Sequence, residues 1–306
     1  MLQRPKTAVI ILNYNSAAHT LRCVDSILKH TADLSDTALV VVDNASAKPD
    51  QAQLTALASD HVTLVHAEKN LGFAGGMMLG ADAVDAEYYF FLNNDCEFRN
   101  DVVAVLSSFL DQHPQSALCS GYMLDSDGKP RSSFNYFPSL WLMLLGSGLL
   151  RLFSPSRYPD RRKPYAQPVP VDVVTGAAMF TRGTVLKQLG GLDTGFFLYC
   201  EEEDYALRIK QAGCKTWFVP QAHIMHIGGA SSGDALLRPA LQREFYISML
   251  RYLRLHHNLV YATAFRLFIV LKLLRRAITG KVPFSLAVFV FKGAPGKESL
   301  RYKQPN

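Results

Sequence analysis

The chain has 306 residues, 49% of them hydrophobic, enough for one large α/β domain with an appendage or for two modest domains, and too apolar for disorder. Its net charge of +6 is unevenly spread: from Leu236 onward 13 Lys and Arg stand against Glu244 and Glu298 alone, so a slightly acidic body carries a strongly basic tail. The five cysteines, Cys23, Cys96, Cys119, Cys200 and Cys214, show no Cys-x-x-Cys spacing, which excludes a zinc or thioredoxin-like motif and fits a reduced, cytosolic setting.

Few residues precede the first β-rich run, Ala8 to Leu12, leaving no room for the apolar segment of a secretory signal. That run breaks at Asn13-Tyr14-Asn15-Ser16, after which Leu21, Val24, Ile27 and Leu28 recur at helical spacing. Leu39 to Val42 repeats the device and ends in Asp43-Asn44-Ala45-Ser46, and Val62 to Val65 runs on toward Asn70-Leu71-Gly72-Phe73-Ala74-Gly75-Gly76. With Tyr88 to Leu92, four short strands alternate with helical segments, which predicts a doubly wound, mainly parallel sheet whose polar loops share one edge. Neither Gly-x-Gly-x-x-Gly nor a Walker pattern is present, which excludes nicotinamide cofactors and P-loop ATP chemistry. Asp43 is suited to accept hydrogen bonds from a ribose or base, or to form a turn with Ser46. Gly72, Gly75 and Gly76 either admit a ligand close to the backbone or pack a helix on the sheet.

The fourth strand ends abruptly in Asn93-Asn94-Asp95. Ligands of open α/β sheets collect at the carboxyl ends of strands, so Asp95 is the first candidate to hold a hard, oxygen-seeking cation. The competing reading is a turn, or a cap for the helix that starts near Asp101. Leu140 to Leu150, with Trp141, is too short to span a bilayer, as is every other apolar run, and predicts a helix that rests on a membrane or covers an acceptor groove. Arg157, Arg161, Arg162 and Lys163 follow in a Pro-flanked loop, read first as a solvated excursion and second as a lid.

The small residues Thr175-Gly176-Ala177-Ala178 let a substrate approach the backbone. Glu201-Glu202-Glu203-Asp204 then opens a predicted helix, where the macrodipole favours acids without any catalytic reason. Asp204 and Arg208 stand four apart and predict an ion pair, with Glu201 on the same side; Glu202 is left on another face, free to point at a substrate. Trp217 to Val219 predicts a strand, followed by His223 and His226. A histidine among apolar residues reads first as structural; His226 becomes a ligand candidate because the fold can bring it to Asp95.

Taken together, Val9-Ile10-Ile11-Leu12-Asn13-Tyr14-Asn15, Val41-Val42-Asp43-Asn44-Ala45-Ser46, the Asn70 to Gly76 loop, Leu92-Asn93-Asn94-Asp95 and the acidic segment Glu201 to Arg208 resemble the family 2 glycosyltransferases, most of all their bacterial rhamnosyltransferase-like members. The resemblance implies a GT-A fold, an α/β architecture with a Rossmann-like, mainly parallel sheet flanked by helices. It places Asn13 and Asp43 near the base and ribose of a nucleotide sugar, and adds Asn70, Gly72, Asn93 and Asn94 to that site. Asn93-Asn94-Asp95 stands where the family has Asp-x-Asp. Because the first acid is here Asn93, binding of Mg²⁺ or Mn²⁺ rests on Asp95, helped by His226 at the position of the family's late histidine. Glu202 takes the place of the family's catalytic base, with Glu for Asp, so resemblance and helical spacing select the same residue.

The implied reaction is inverting transfer of a sugar to a hydroxyl of a glycan or polyprenyl-diphosphate-linked acceptor in cell-surface polysaccharide synthesis. The favoured donor is dTDP-rhamnose, followed by UDP- or GDP-sugars. Two rivals stand beside it, a sugar nucleotidyltransferase and a catalytically silent nucleotide-sugar-binding protein. The reading divides the chain into a catalytic domain, 1–235, and a basic amphipathic helical extension, 236–306. There Phe245 to Leu255 and Leu259 to Leu274 mix aliphatic residues with Arg243, Arg251, Arg254, Arg266, Lys272, Arg275 and Arg276. That mixture suits helices lying on an anionic membrane, peripheral on the cytoplasmic face, better than a polar groove for nucleic acid; packing on the catalytic domain or a dimer interface is the alternative.

Overall fold

A computed structural model of the chain describes residues 4–59, 61–228 and 238–303. Its first half alternates as the hydrophobic pattern predicts: β1 (Thr7–Asn13), α1 (Ala17–His30), β2 (Thr37–Asp43), α2 (Lys48–Leu54), β3 (Val62–His66), α3 (Gly72–Asp82) and β4 (Tyr88–Asn93). The four strands lie parallel in the order β3-β2-β1-β4, with Leu12 opposite both Val42 and Asn93, so their polar ends share one edge. Alternate residues of β1 feed two cores, Val9 and Ile11 on one face and Ala8 and Ile10 on the other, and all four are wholly buried. A central strand covered on both faces reads as an unbroken apolar run, which is why Tyr88 to Leu92 shows no alternation.

The second half is mixed. It comprises β5 (Cys96–Phe98), α4 (Val102–Gln112), β6 (Ser116–Leu124), β7 (Phe134–Asn135), α5 (Leu140–Phe153), β8 (Val169–Val171), β9 (Val173–Val174), β10 (Ala178–Arg182), α6 (Gly183–Gln188), α7 (Glu201–Gln211) and β11 (Lys215–His226). Strand β10 runs antiparallel between β4 and β6; β11 then pairs parallel with β6 and antiparallel with β5 and β8. The expected strand at Trp217 extends as far as His226 because the register shifts between Phe218 and His223, which accommodates Pro220 inside the strand. Asp101, not the Asn93 to Asp95 segment, caps α4, accepting the backbone N–H of Ala104 at 3.0 Å.

The proposed boundary at 235/236 lies outside the described residues. Beyond it, α8 (Arg238–His256), α9 (Leu259–Ile278) and α10 (Phe284–Phe291) form a third apolar core that also takes in Phe196 and Cys200, so the extension docks on the catalytic half. Two arginines expected to face a membrane instead form ion pairs with the protein: Arg251 with Asp193 at 2.7 Å and Arg243 with Glu298 at 2.9 Å. Arg254, Lys272, Arg275 and Arg276 remain exposed.

The docking is fastened at α7. Asp204, 2% exposed, accepts from Arg208 Nε at 2.8 Å, the pair that helical spacing predicts, and lies 2.7 Å from His256 Nε2 at the end of α8. Glu201 is not part of this pair: the backbone enters α7 through left-handed Tyr199 and Cys200 (φ 72° and 67°), and Glu201 is buried with one oxygen unpartnered among the described residues. Removing the Asp204 charge leaves the half-buried Arg208 guanidinium uncompensated and takes the carboxylate partner from His256. Asp204→Asn is therefore expected to lower unfolding stability by about 3 kcal/mol, read as a shift in the urea midpoint; a midpoint at the wild-type value would remove this network from the account of docking.

Candidate active site

The end of β4 is the floor of the site. Asp95, 6% exposed, has its Oδ1 3.2 Å from His226 Nε2. The two meet because β5 pairs with β11, His226 opposite Cys96, and the N–H of Ile227 continues the pairing to the carbonyl of Asp95 at 3.0 Å. Burial alone would raise the Asp95 carboxyl, but the hydrogen bond and charge of His226 outweigh it and hold the group below the usual carboxylate range. Cys96 also lies within ligand distance of this pair. Burial keeps its thiol protonated, however, and its Sγ sits 3.6 Å from the carbonyl oxygen of Ala177. The usable donors are thus one carboxylate oxygen and one imidazole nitrogen, a set that fits a divalent cation taking its remaining ligands from phosphate oxygens and water. Asn93 is half-buried beside them; its backbone N–H donates to the carbonyl of Ala177 at 2.9 Å.

Several residues expected in the nucleotide-sugar site spend their hydrogen bonds inside the protein. Asn94 turns inward and donates to Ser16 Oγ at 2.6 Å and Thr20 Oγ1 at 2.9 Å. Asn13 is wholly buried; its Nδ2 donates to Ser46 Oγ at 3.0 Å and Asp50 Oδ2 at 2.7 Å, and its Oδ1 accepts from Thr20 at 2.8 Å. Asp43 is equally buried and accepts from Gln51 Nε2 at 2.8 Å and the Ser46 N–H at 3.2 Å. Burial pushes the Asp43 carboxyl up, but hydrogen bonds from Ser46, Gln51 and Asn13 prevail and keep it low. His66, half-exposed, lies 3.5 Å from Asp43 Oδ2.

The glycine loop behaves likewise. Gly72 has φ 76°, and a Cβ there would stand 2.2 Å from the carbonyl oxygen of Phe197, so the close approach it permits is to protein backbone. Gly76 packs on Leu12. Asn70 Oδ1 accepts the Gly72 N–H at 2.9 Å and the Asn44 amide at 2.9 Å, while Asn44 Oδ1 takes the Leu71 N–H at 2.9 Å. Asn44 and Asp50 were not singled out from sequence; Asn44 is a polar side chain just past β2, and Asp50 an acid in the first turn of α2.

Across the site, Glu202 lies half-buried in the first turn of α7. Its carboxylate abuts Gly176, where a Cβ would come within 3.2 Å of Oε1. Burial raises the carboxyl, moving it toward the range in which a general base works near neutral pH. Glu203 is raised further by burial and by the charge of Glu202. Gly176 and Ala177 therefore join the two halves: the first touches the Glu202 carboxylate, and the carbonyl of the second holds Asn93 and Cys96 on either side of Asp95.

Residues 8–189 match the sequence profile described as "Glycosyl transferase family 2". The chain belongs to that family. Among curated relatives it is 24% identical to mouse polypeptide N-acetylgalactosaminyltransferase 12, over 83% of this chain and 46% of the relative. It is also 24% identical to N-acetylglucosaminyl-diphospho-decaprenol L-rhamnosyltransferase of Mycobacterium tuberculosis, over 74% of this chain and 77% of the relative. The chain thus spans about half of the first and most of the second. Among solved structures, mannosyltransferase PcManGT from Pyrobaculum calidifontis, in complex with GDP-Man and Mn²⁺, superposes with a TM-score of 0.60 at 17% identity, covering 98% of this chain and 82% of that one. The family and the GT-A fold expected from the motifs are both borne out.

Proposed function

We propose that this family member is an inverting sugar transferase in which Glu202 and Asp95 act from opposite sides of the reacting carbon. The observation that carries the reading is the Gly176-Ala177 bridge, which fixes a basic carboxylate and a metal-binding carboxylate on one short segment whose lack of side-chain bulk leaves room for a substrate. Glu202, with its raised carboxyl, takes the proton of the acceptor hydroxyl as that oxygen attacks the anomeric carbon. The nucleoside diphosphate departs from the other face, and no covalent sugar–enzyme intermediate is needed. Asp95 and His226 would hold Mg²⁺ or Mn²⁺, which would supply charge neutralisation at the diphosphate.

Asn13, Asp43, Asn70, Gly72, Asn93 and Asn94 shape the nucleotide-sugar pocket, most of them by holding its loops. Rhamnose is the favoured sugar, carried on dTDP, with UDP- and GDP-sugars next. The support is the motif resemblance and the mycobacterial relative, whose name specifies an L-rhamnosyl transfer to a diphospho-decaprenol acceptor. A lipid-linked acceptor fits the exposed apolar surface. In α5, kinked at Gly146, Trp141 is 65%, Leu152 78% and Phe153 81% exposed. Leu140 and Met143 tie α5 to the tail core, and Leu267, Leu271, Phe284 and Phe291 line an apolar cleft between α9 and α10, with exposed Lys272 and Arg275 on α9. Among the described residues no helix is long and apolar enough to cross a membrane. The reading is accordingly peripheral attachment to the cytoplasmic face through α5 and the tail.

Glu202→Gln is expected to keep donor binding near normal while turnover falls by a factor of about 10² or more, measured as nucleoside diphosphate release with sugar transfer. Unchanged turnover would move the base elsewhere. Asp95→Ala is expected to abolish metal-dependent donor binding, since His226 alone remains; near-normal turnover in excess Mn²⁺ would end the metal assignment. Release of pyrophosphate in place of nucleoside diphosphate would instead identify a nucleotidyltransferase, and tight donor binding without turnover in the wild type a silent binder. The full chain is expected to sediment with anionic liposomes, and replacing Trp141, Leu152 and Phe153 together by Ser to weaken that binding; equal sedimentation of both forms would place the membrane surface elsewhere.

A further inference from the structure

The basic loop after α5 folds back on the protein, with Arg161 half-buried and Arg162 and Lys163 exposed, as is Arg131. Arg161, Arg162 and Lys163 fold back over β6 and β7 and, with Arg131, line a pocket of about 240 Å³. Its wall is aromatic: Phe134 and Phe218 are nearly buried, their rings 5.4 Å apart, and Tyr122 lies 5.6 Å from Phe218. Among the described residues none of the four cations forms an ion pair with a carboxylate. Asp160, the acid next to them in sequence, is engaged by Arg151 at 2.6 Å. Arg161 donates to Asn135 Oδ1 at 2.8 Å and lies over the Tyr136 ring, while the other three cations are exposed; four like charges around one pocket, without a carboxylate partner among the described residues, favour an anion there.

The position of the pocket says which anion. Arg131 Nη1 is 3.4 Å from the backbone oxygen of His226, at the metal side of the site. Ser133 accepts, through its backbone oxygen, the N–H of Thr175 at 3.2 Å, next to the Gly176 that touches Glu202. The same loop is bound to the exposed apolar helix, because Arg151 at the end of α5 donates to the Tyr158 carbonyl at 3.0 Å as well as pairing with Asp160. The pocket is thus linked through Ser133 and Thr175 to the segment that touches Glu202, and through the loop held by Arg151 to α5.

We infer that this pocket binds the diphosphate of the acceptor, placing its sugar hydroxyl toward Glu202 and its lipid toward α5. The inference rests on the transferase reading above and assigns that site an anionic acceptor. Its test uses the full chain and inorganic pyrophosphate in EDTA at low salt, followed by calorimetry. Arg162→Gln/Lys163→Gln and, separately, Arg131→Gln are expected to weaken pyrophosphate binding about tenfold or more, the loss of charge-assisted hydrogen bonds. Binding of dTDP and UDP with Mn²⁺ is expected to stay within about twofold of wild type, as is sedimentation with phosphatidylglycerol vesicles. Pyrophosphate binding unchanged in both variants overturns the inference. So does a parallel loss of nucleotide binding, which would give the pocket to the donor's diphosphate, or a loss confined to vesicle binding, which would make it a headgroup patch. Failure of the wild type to bind dTDP, UDP or any nucleotide sugar would count against the transferase reading, while pyrophosphate binding would still report on the pocket.

Discussion

The site depends on the antiparallel insertion of β10 beside β4. With Ala178 opposite Leu92, the pairing buries β4 as a central strand and lays the preceding residues, Gly176 and Ala177, across the end where Asn93 and Asp95 emerge. Backbone groups at a buried strand end must be satisfied, and the Ala177 carbonyl answers the Asn93 N–H. A ladder bond that completes the sheet thereby sets the distance between two carboxylates more than a hundred residues apart. The pairing of β5 with β11 adds His226 by the same means.

A second constraint is the burial of charge. Glu201, Glu202 and Glu203 open one helix turn with their carboxyls raised by burial, in a segment entered through two left-handed non-glycine residues, each such conformation costing about 1–3 kcal/mol. The surrounding structure compensates by packing: Phe196 and Cys200 join the core of the tail helices, Ser248 Oγ donates to the Leu198 carbonyl at 2.7 Å, and His256 reaches Asp204. The tail thus supports the conformation of the segment that carries Glu202, and the exposed apolar residues of α9 and α10 are the part left over from that docking. The segment 196–200 before α7 and the tail helices share one core.

Much of this was legible in the residues. Four apolar runs ending in polar clusters specify parallel strands with a common functional edge, because a strand buried on both faces must be continuously apolar and its loops must be solvated. The four-residue spacing of Asp204 and Arg208 identified an ion pair, and the same spacing left Glu202 on another face, since side chains on a helix meet only at three or four residues apart. Asp95 stood out as the acid that closes the polar turn after the fourth apolar run. These are local properties, determined by periods of two and of 3.6 residues.

What only the tertiary structure decided are the contacts that local period does not encode. Whether Asn13, Asp43 and Asn94 face a ligand or the interior depends on which polar groups neighbouring loops bring; Thr20, Ser46 and Asp50 come from other elements and take up their hydrogen bonds. Gly72 met the Phe197 backbone and not a ligand, because the nearest atom belongs to a segment well over a hundred positions away. The basic residues of the tail were alike in sequence, yet Arg243 and Arg251 found carboxylates and Arg275 and Arg276 remained in solvent. The loop holding Arg161 to Lys163 became a pocket wall only when β6, β7 and β11 supplied its floor. Charge and hydropathy along the chain determine which groups seek partners; long-range sheet pairing determines which partners they find.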